Sequence, residues 1–400
     1  MKDASIRRGR YEFLDALRGV AVMAVVVQHA AELVWPAWAR FSLSWFRPGE
    51  FGVVLFFLCS GFIIPASLER HGSQARFWVG RFFRLYPFYW FALAAALLLH
   101  YGFGRYPLDQ AFLAHPARGV AANATMAQDF LGTPLVLGQS WSLAYELVFY
   151  GLVSALFVTS WRRRSAPFAV GGFVLAALPF VGRFPGVALA SMGSKLAALV
   201  ALLTVGAAVG VAWLARRAGP IRWLAVALVA VTVPLVVNRP ENMKTACLLF
   251  ATLFTGTVLH RWTSGQLSGA AAAGVLILAL VSIVLMTLAT DWDVPPGANL
   301  QRAEITTFLG AYGVFVAALL ARARQFPKAL IYLGAISYSL YLNHSLVIYG
   351  VGWVAANAVA TAAVWIGLSV VASVVTYRLI ERPAIDIGHR LGKAVVRPSG

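Results

Sequence analysis

The chain has 400 residues, 60% hydrophobic and 12% charged, and a formal net charge of +18. A soluble domain carries about 25% charged residues, so an ordinary soluble fold is excluded. The apolar runs are about 20 residues long, the span of a bilayer core, and a barrel of short alternating strands is excluded with them.

Taken in order, the runs predict about twelve spans, near 14–34, 51–68, 86–102, 141–160, 167–183, 193–214, 221–237, 244–260, 268–290, 304–321, 329–350 and 353–379. Ten or eleven is the alternative count, because the segments around 167–237 are poorly punctuated. With the N-terminus inside and the spans alternating, inside segments hold about 23 Lys and Arg and outside segments about nine. That bias is the positive-inside pattern, and it assigns the basic surplus to a membrane surface rather than to nucleic acid. The expected fold is therefore all-α: a polytopic transmembrane helical bundle of about 10–12 spans with both termini cytoplasmic, in a bacterial inner membrane. Residues 1–385 read as a single membrane-embedded domain and 386–400 as a short basic cytoplasmic tail. No cleavable signal peptide is evident, since the first run contains Arg18. The two cysteines, Cys59 and Cys247, sit in apolar runs and imply no disulfide framework.

The first span, LDALRGVAVMAVVVQHAAELV, carries Asp15, Arg18 and His29. Eleven residues make about three helical turns with an offset of about 20°, so Arg18 and His29 share a face about 16 Å apart in depth. Ionisable groups inside a span point to function; packing between helices is the plainer alternative. In FFLCSGFIIP, Cys59, Ser60 and Gly61 interrupt an aromatic run and permit close approach of a helix or a ligand. RFWVGRFFRLYPFYW sets Arg76, Arg81 and Arg84 among aromatics at the cytoplasmic surface, a row suited to lipid headgroups or to a phosphate-bearing ligand. The stretch 103–140 is predicted to lie outside as a binding loop or lid, and its Asn123-Ala124-Thr125 matches a glycosylation triplet common by chance. WSLAYELVFY places Glu146 within a span, just after Trp141. The middle spans, 167–322, hold few charges and read as scaffold. ISYSLYLNHSLVIY supplies Ser337, Tyr338, Tyr341, Asn343 and His344, and YRLIERPAI ends the last span with Arg378, Glu381 and Arg382. Alternation of the spans then places His29, Glu146 and His344 at one depth in the outer half, with Arg18, Arg81, Arg84 and Arg378 on the inner side.

LDALRGVAV with His29, FFLCSGF, RFFRLYP, WSLAYE, SYSLYLNH and the closing ERP resemble, in this order, the motifs of the acyltransferase-3 family of integral membrane acyltransferases. The resemblance covers both ends of the chain. It implies transfer of an acyl group, often acetyl, from cytoplasmic acyl-CoA to a hydroxyl of a carbohydrate or glycolipid. It carries over His29 and Arg18 as the essential pair, with Glu146 beside them. Arg81, Arg84, Arg76 and Arg378 become candidate acyl-CoA ligands. Ser60, Tyr341, His344 and Trp141 become candidate acceptor or pocket residues. Acyl-CoA enters as co-substrate; no metal and no tightly bound cofactor is implied. Glu146 is expected to hydrogen-bond His29 or an acceptor hydroxyl. Cys59 stands where an apolar residue is more usual, and Asn343 where an aromatic is common. The chain stops about 20 residues after its last span, so transfer is expected to finish within the membrane domain. A transporter of a small anionic or sugar-like solute is the rival class, since it also buries Arg, His and Glu; a non-catalytic membrane sensor is a third.

Overall fold

The computed structural model describes residues 11–126, 128, 132–157, 165–181, 243–289, 298–354 and 357–395. The expected spans 193–214 and 221–237, and basic residues such as Arg162, Lys195 and Arg216, lie outside the described residues.

The described residues are helical, without strands. In chain order the helices are α1 (Glu12–Val34), α2 (Pro36–Ser42), α3 (Pro48–His71), α4 (Gln74–Phe103), α5 (Gln110–Ala114), α6 (Pro116–Ala124) and α7 (Trp141–Phe157). They continue with α8 (Ser165–Val181), α9 (Met243–Thr263), α10 (Gly269–Leu288), α11 (Leu300–Leu320), α12 (Lys328–Ala335), α13 (Ser337–Val351) and α14 (Ala358–Thr376). A π-helical turn (Tyr377–Glu381) leads into α15 (Arg382–Ala394), so the segment expected to be a tail from residue 386 is helical through Ala394. Among the described residues seven helices are long and apolar enough to cross a membrane: a multi-pass integral membrane protein.

One expected span is broken. The run at 329–350 forms two helices that meet at Ile336, where ψ is 8° instead of the helical value. No proline or glycine stands at the break. Two residues earlier, Gly334 lies against the backbone of Asp15, so close that a Cβ there would collide with its carbonyl. Periodicity cannot reveal a break set by a distant helix.

The chain forms two compact units, with the division falling inside α3, α4, α10 and α15. In the first unit (1–59, 94–107 and 283–383), α12 lies along α1. Gly19 faces the Leu330 carbonyl and Gly334 the Asp15 carbonyl, while Gly52 of α3 rests on Ala21. In lipid the approach of helices depends on such small residues, because apolar burial against acyl chains gives little drive. Near the other end of α1, Ala30 and Val34 pack with Ile348, Ala362 and Trp365. The segment after α2 is held to α11: the Arg47 N–H donates to Thr307 Oγ1 at 2.8 Å, and the Arg302 guanidinium lies 4.0 Å over the Trp45 ring.

In the second unit (60–93, 108–282 and 384–400), Gly61 packs on Leu253 of α9, and Thr257 Oγ1 donates to the Gly61 carbonyl at 2.8 Å. Arg261, 3% exposed, pairs with Glu69 at 2.7 Å and donates to Ser165 and Gln266. Asn123 is fully buried: its amide donates to the carbonyls of Gly119 and Pro134, and its oxygen accepts from the Val136 N–H. The glycosylation triplet is thus a structural latch with both ends of its asparagine occupied. On α15, Gly388 and Gly392 bring that helix against Phe83 and Arg76 of α4.

Candidate active site

The first unit joins two of the sequence motifs through their histidines. His29 is half-buried on α1, and His344 on α13 is fully buried. His29 Nδ1 and His344 Nε2 are 2.7 Å apart. The ring planes differ by 12° and the centroids are 4.9 Å apart. A 2.7 Å approach is too short for rings lying face to face, so they meet edge to edge, nearly in one plane, with a shared proton directed along the lone pair. His344 Nδ1 faces the Leu340 carbonyl at 3.3 Å. Among the described residues the other nitrogen of His29 makes no hydrogen bond.

Around this pair, Tyr341 has its ring 6.3 Å from that of His344 and 5.9 Å from Phe56 on α3. Asn343 Nδ2 donates to Thr376 Oγ1 at 2.8 Å, and Ser339 Oγ donates to buried Glu381 at 2.6 Å. The ERP motif is therefore tied to the SYSLYLNH motif. Arg18 is half-buried three turns along α1 from His29, and Cys59 lies near enough to Arg18 and Asp15 to feel both charges. Arg378 is exposed on the π turn.

The second unit gathers another set. Ser60 Oγ, 4% exposed, donates to Glu146 at 2.7 Å. Tyr150, one turn on from Glu146, lies close enough to Glu146 and Arg81 to interact electrostatically with both. The Arg81 guanidinium lies 5.4 Å from the Tyr150 ring centroid and 5.5 Å from that of Phe77. Deeper along α4, Gln74 and Trp78 donate to Ser154, at 2.6 Å to its carbonyl and 2.9 Å to its hydroxyl. Arg76 and Arg84 are half-buried, and the Trp141 ring is 5.9 Å from that of Tyr145.

The partner of Glu146 is Ser60, and the ring partner of His29 is His344. Glu146 and Arg81, given different depths in the sequence reading, both lie near Tyr150. Sequence reasoning passed over Tyr150, although its place four residues after Glu146 puts it on the same helix face. It also passed over Ser339 as the partner of Glu381; nothing short of the fold relates those two positions.

Ionisable groups held within the spans of a multi-pass helical protein mark candidate functional sites. The chain belongs to the acyltransferase-3 family, whose sequence profile, described as an acyltransferase domain, matches residues 11–379. It is an acyltransferase. It is 24% identical to the acyltransferase MdmB of Streptomyces mycarofaciens over 398 residues, covering 94% of this chain and 92% of that protein. It is 29% identical to the putative peptidoglycan O-acetyltransferase YrhL of Bacillus subtilis (strain 168) over 177 residues, covering 38% of this chain and 25% of that protein. No solved structure gives a significant match.

Proposed function

We propose that the protein moves an acyl group, acetyl in the first instance, from cytoplasmic acyl-CoA to a hydroxyl of a carbohydrate or glycolipid at the membrane, with His29 as general base. The observation that carries this reading is the half-buried His29 imidazole, held by one nitrogen on His344 and unbonded at the other among the described residues. An imidazole so placed accepts the hydroxyl proton as oxygen attacks the thioester carbonyl. The new O–C bond forms and the C–S bond breaks. The proton then passes from His29 to the departing thiolate, leaving an ester and free CoA. The name of the Bacillus subtilis relative supports acetyl as the group and a glycan as the acceptor.

In this reading Arg81, Arg84, Arg76 and Arg18 serve the donor's phosphates, which guanidinium groups bind through several charge-assisted hydrogen bonds. Arg378 completes the set. Glu146, fixed by Ser60, holds Arg81 through Tyr150 or receives an acceptor hydroxyl. The positive-inside bias supports donor entry at the cytoplasmic face of an inner membrane. Family membership favours transfer over solute transport. The two readings separate in proteoliposomes: acyl-CoA consumption that needs His29 supports transfer, whereas solute flux without any acyl-CoA contradicts it.

A further inference from the structure

We propose that His344 is the positioning residue for His29: its Nε2 lone pair accepts the His29 Nδ1–H and holds His29 in the tautomer whose Nε2 is free to take a proton. The inference rests on the reading of His29 as general base and adds what makes it one. It follows from an inventory of protons. The Leu340 carbonyl can only accept, so the hydrogen facing it belongs to His344 Nδ1. A neutral imidazole carries one N–H, so His344 Nε2 is a lone pair. The 2.7 Å contact needs one proton, which must come from His29 Nδ1. Neutral His29 then has its lone pair on Nε2.

The reverse arrangement needs His344 protonated on both nitrogens, a cation with no exposed surface whose hydrogen-bond partners are a second imidazole and a backbone carbonyl. Burying a charge with no carboxylate bonded to it is costly. The neutral acceptor has a use during the reaction. As His29 gains its second proton, the Nδ1–H···Nε2 bond becomes charge-assisted and strengthens. In hydrolases a carboxylate fills this place; inside a bilayer a neutral ring avoids a buried anion. The Asn343–Thr376 bond and the Tyr341 ring against Phe56 fix the turn of α13 that carries His344.

The test has a spectroscopic arm that needs no substrate. The chain has seven histidines. With 15N-histidine protein in lipid nanodiscs, the His29 resonances are assigned by their loss in His29→Gln. The expected spectrum has a protonated Nδ1 and a bare Nε2 on His29. A bare Nδ1 overturns the proposal whether or not His29 is the base. The kinetic arm follows labelled acetyl-CoA into native acceptors in inside-out membrane vesicles. His344→Phe should lower turnover by about 100-fold, within the range a general base contributes, with the KM for acetyl-CoA unchanged. His344→Gln, whose side-chain oxygen can accept from Nδ1–H, should recover most of the loss. Equal loss in both variants at equal folded protein contradicts a positioning role. Full transfer by His29→Ala sinks the parent reading and leaves the tautomer to be judged by the spectrum.

Discussion

Among the described residues only one nitrogen of His29 is engaged, which leaves the other for the proposed role as general base. Arg18 and His29 were legible in the sequence because both sit in one apolar segment with a spacing that a helix turns into a shared face. The partner of His29 was not, since His344 lies 315 residues further on and only the fold joins them. His344 was legible as a polar residue in a span and no more than that. His29→Ala should cut transfer by about 100- to 10,000-fold while expression and acyl-CoA binding persist; near-normal turnover of the purified variant would exclude the general-base role. Glu146 poses a different question. Glu146→Gln keeps the shape but loses the charge. A sharp fall in activity with normal yield supports a role in the site. If Glu146→Gln and Ser60→Ala instead lower thermal stability together and leave turnover per folded molecule intact, the carboxylate is a structural tie.

Among the described residues the helices overlie the apolar runs, from Glu12–Val34 at the first to Ala358–Thr376 at the last, and α4 begins twelve residues ahead of its run, at Gln74. Hydropathy with helical length is enough to set them. It fails where packing decides the backbone. The kink at Ile336 depends on the seat of Gly334 against Asp15, and the π turn places Glu381 under Ser339. Both events orient α13, the helix that carries His344. Gly334→Ala should force α12 off α1 and destabilise the protein by about 1–3 kcal/mol, the usual cost of overpacking. A thermal-shift assay in detergent reads this, and an unchanged midpoint would mean the two helices part without cost. Ser339→Ala removes a charge-assisted donor from a buried carboxylate and should cost about 1–3 kcal/mol. Because the same change loosens the turn carrying His344, it should also lower turnover per folded molecule; full activity at reduced stability would uncouple the two.

Across the whole molecule, class and family were readable because six short motifs in fixed order occupy both ends of one apolar chain. The depths assigned to Glu146 and Arg81 rest on span order, which says nothing about how far a long arginine reaches along its helix. Arg84→Ala should raise the apparent KM for acyl-CoA more than that for the acceptor; unchanged CoA affinity after substitution of Arg18, Arg81 and Arg84 in turn would make these arginines lipid anchors. The most direct test of the account uses inside-out vesicles, whose outer surface is the cytoplasmic face, supplied with [14C]acetyl-CoA. The account predicts base-labile label in membrane glycans or glycolipids for the wild-type protein and none above background for His29→Ala at equal protein level. Equal labelling by the two, or labelling only when acetyl-CoA is confined to the opposite side, would contradict it.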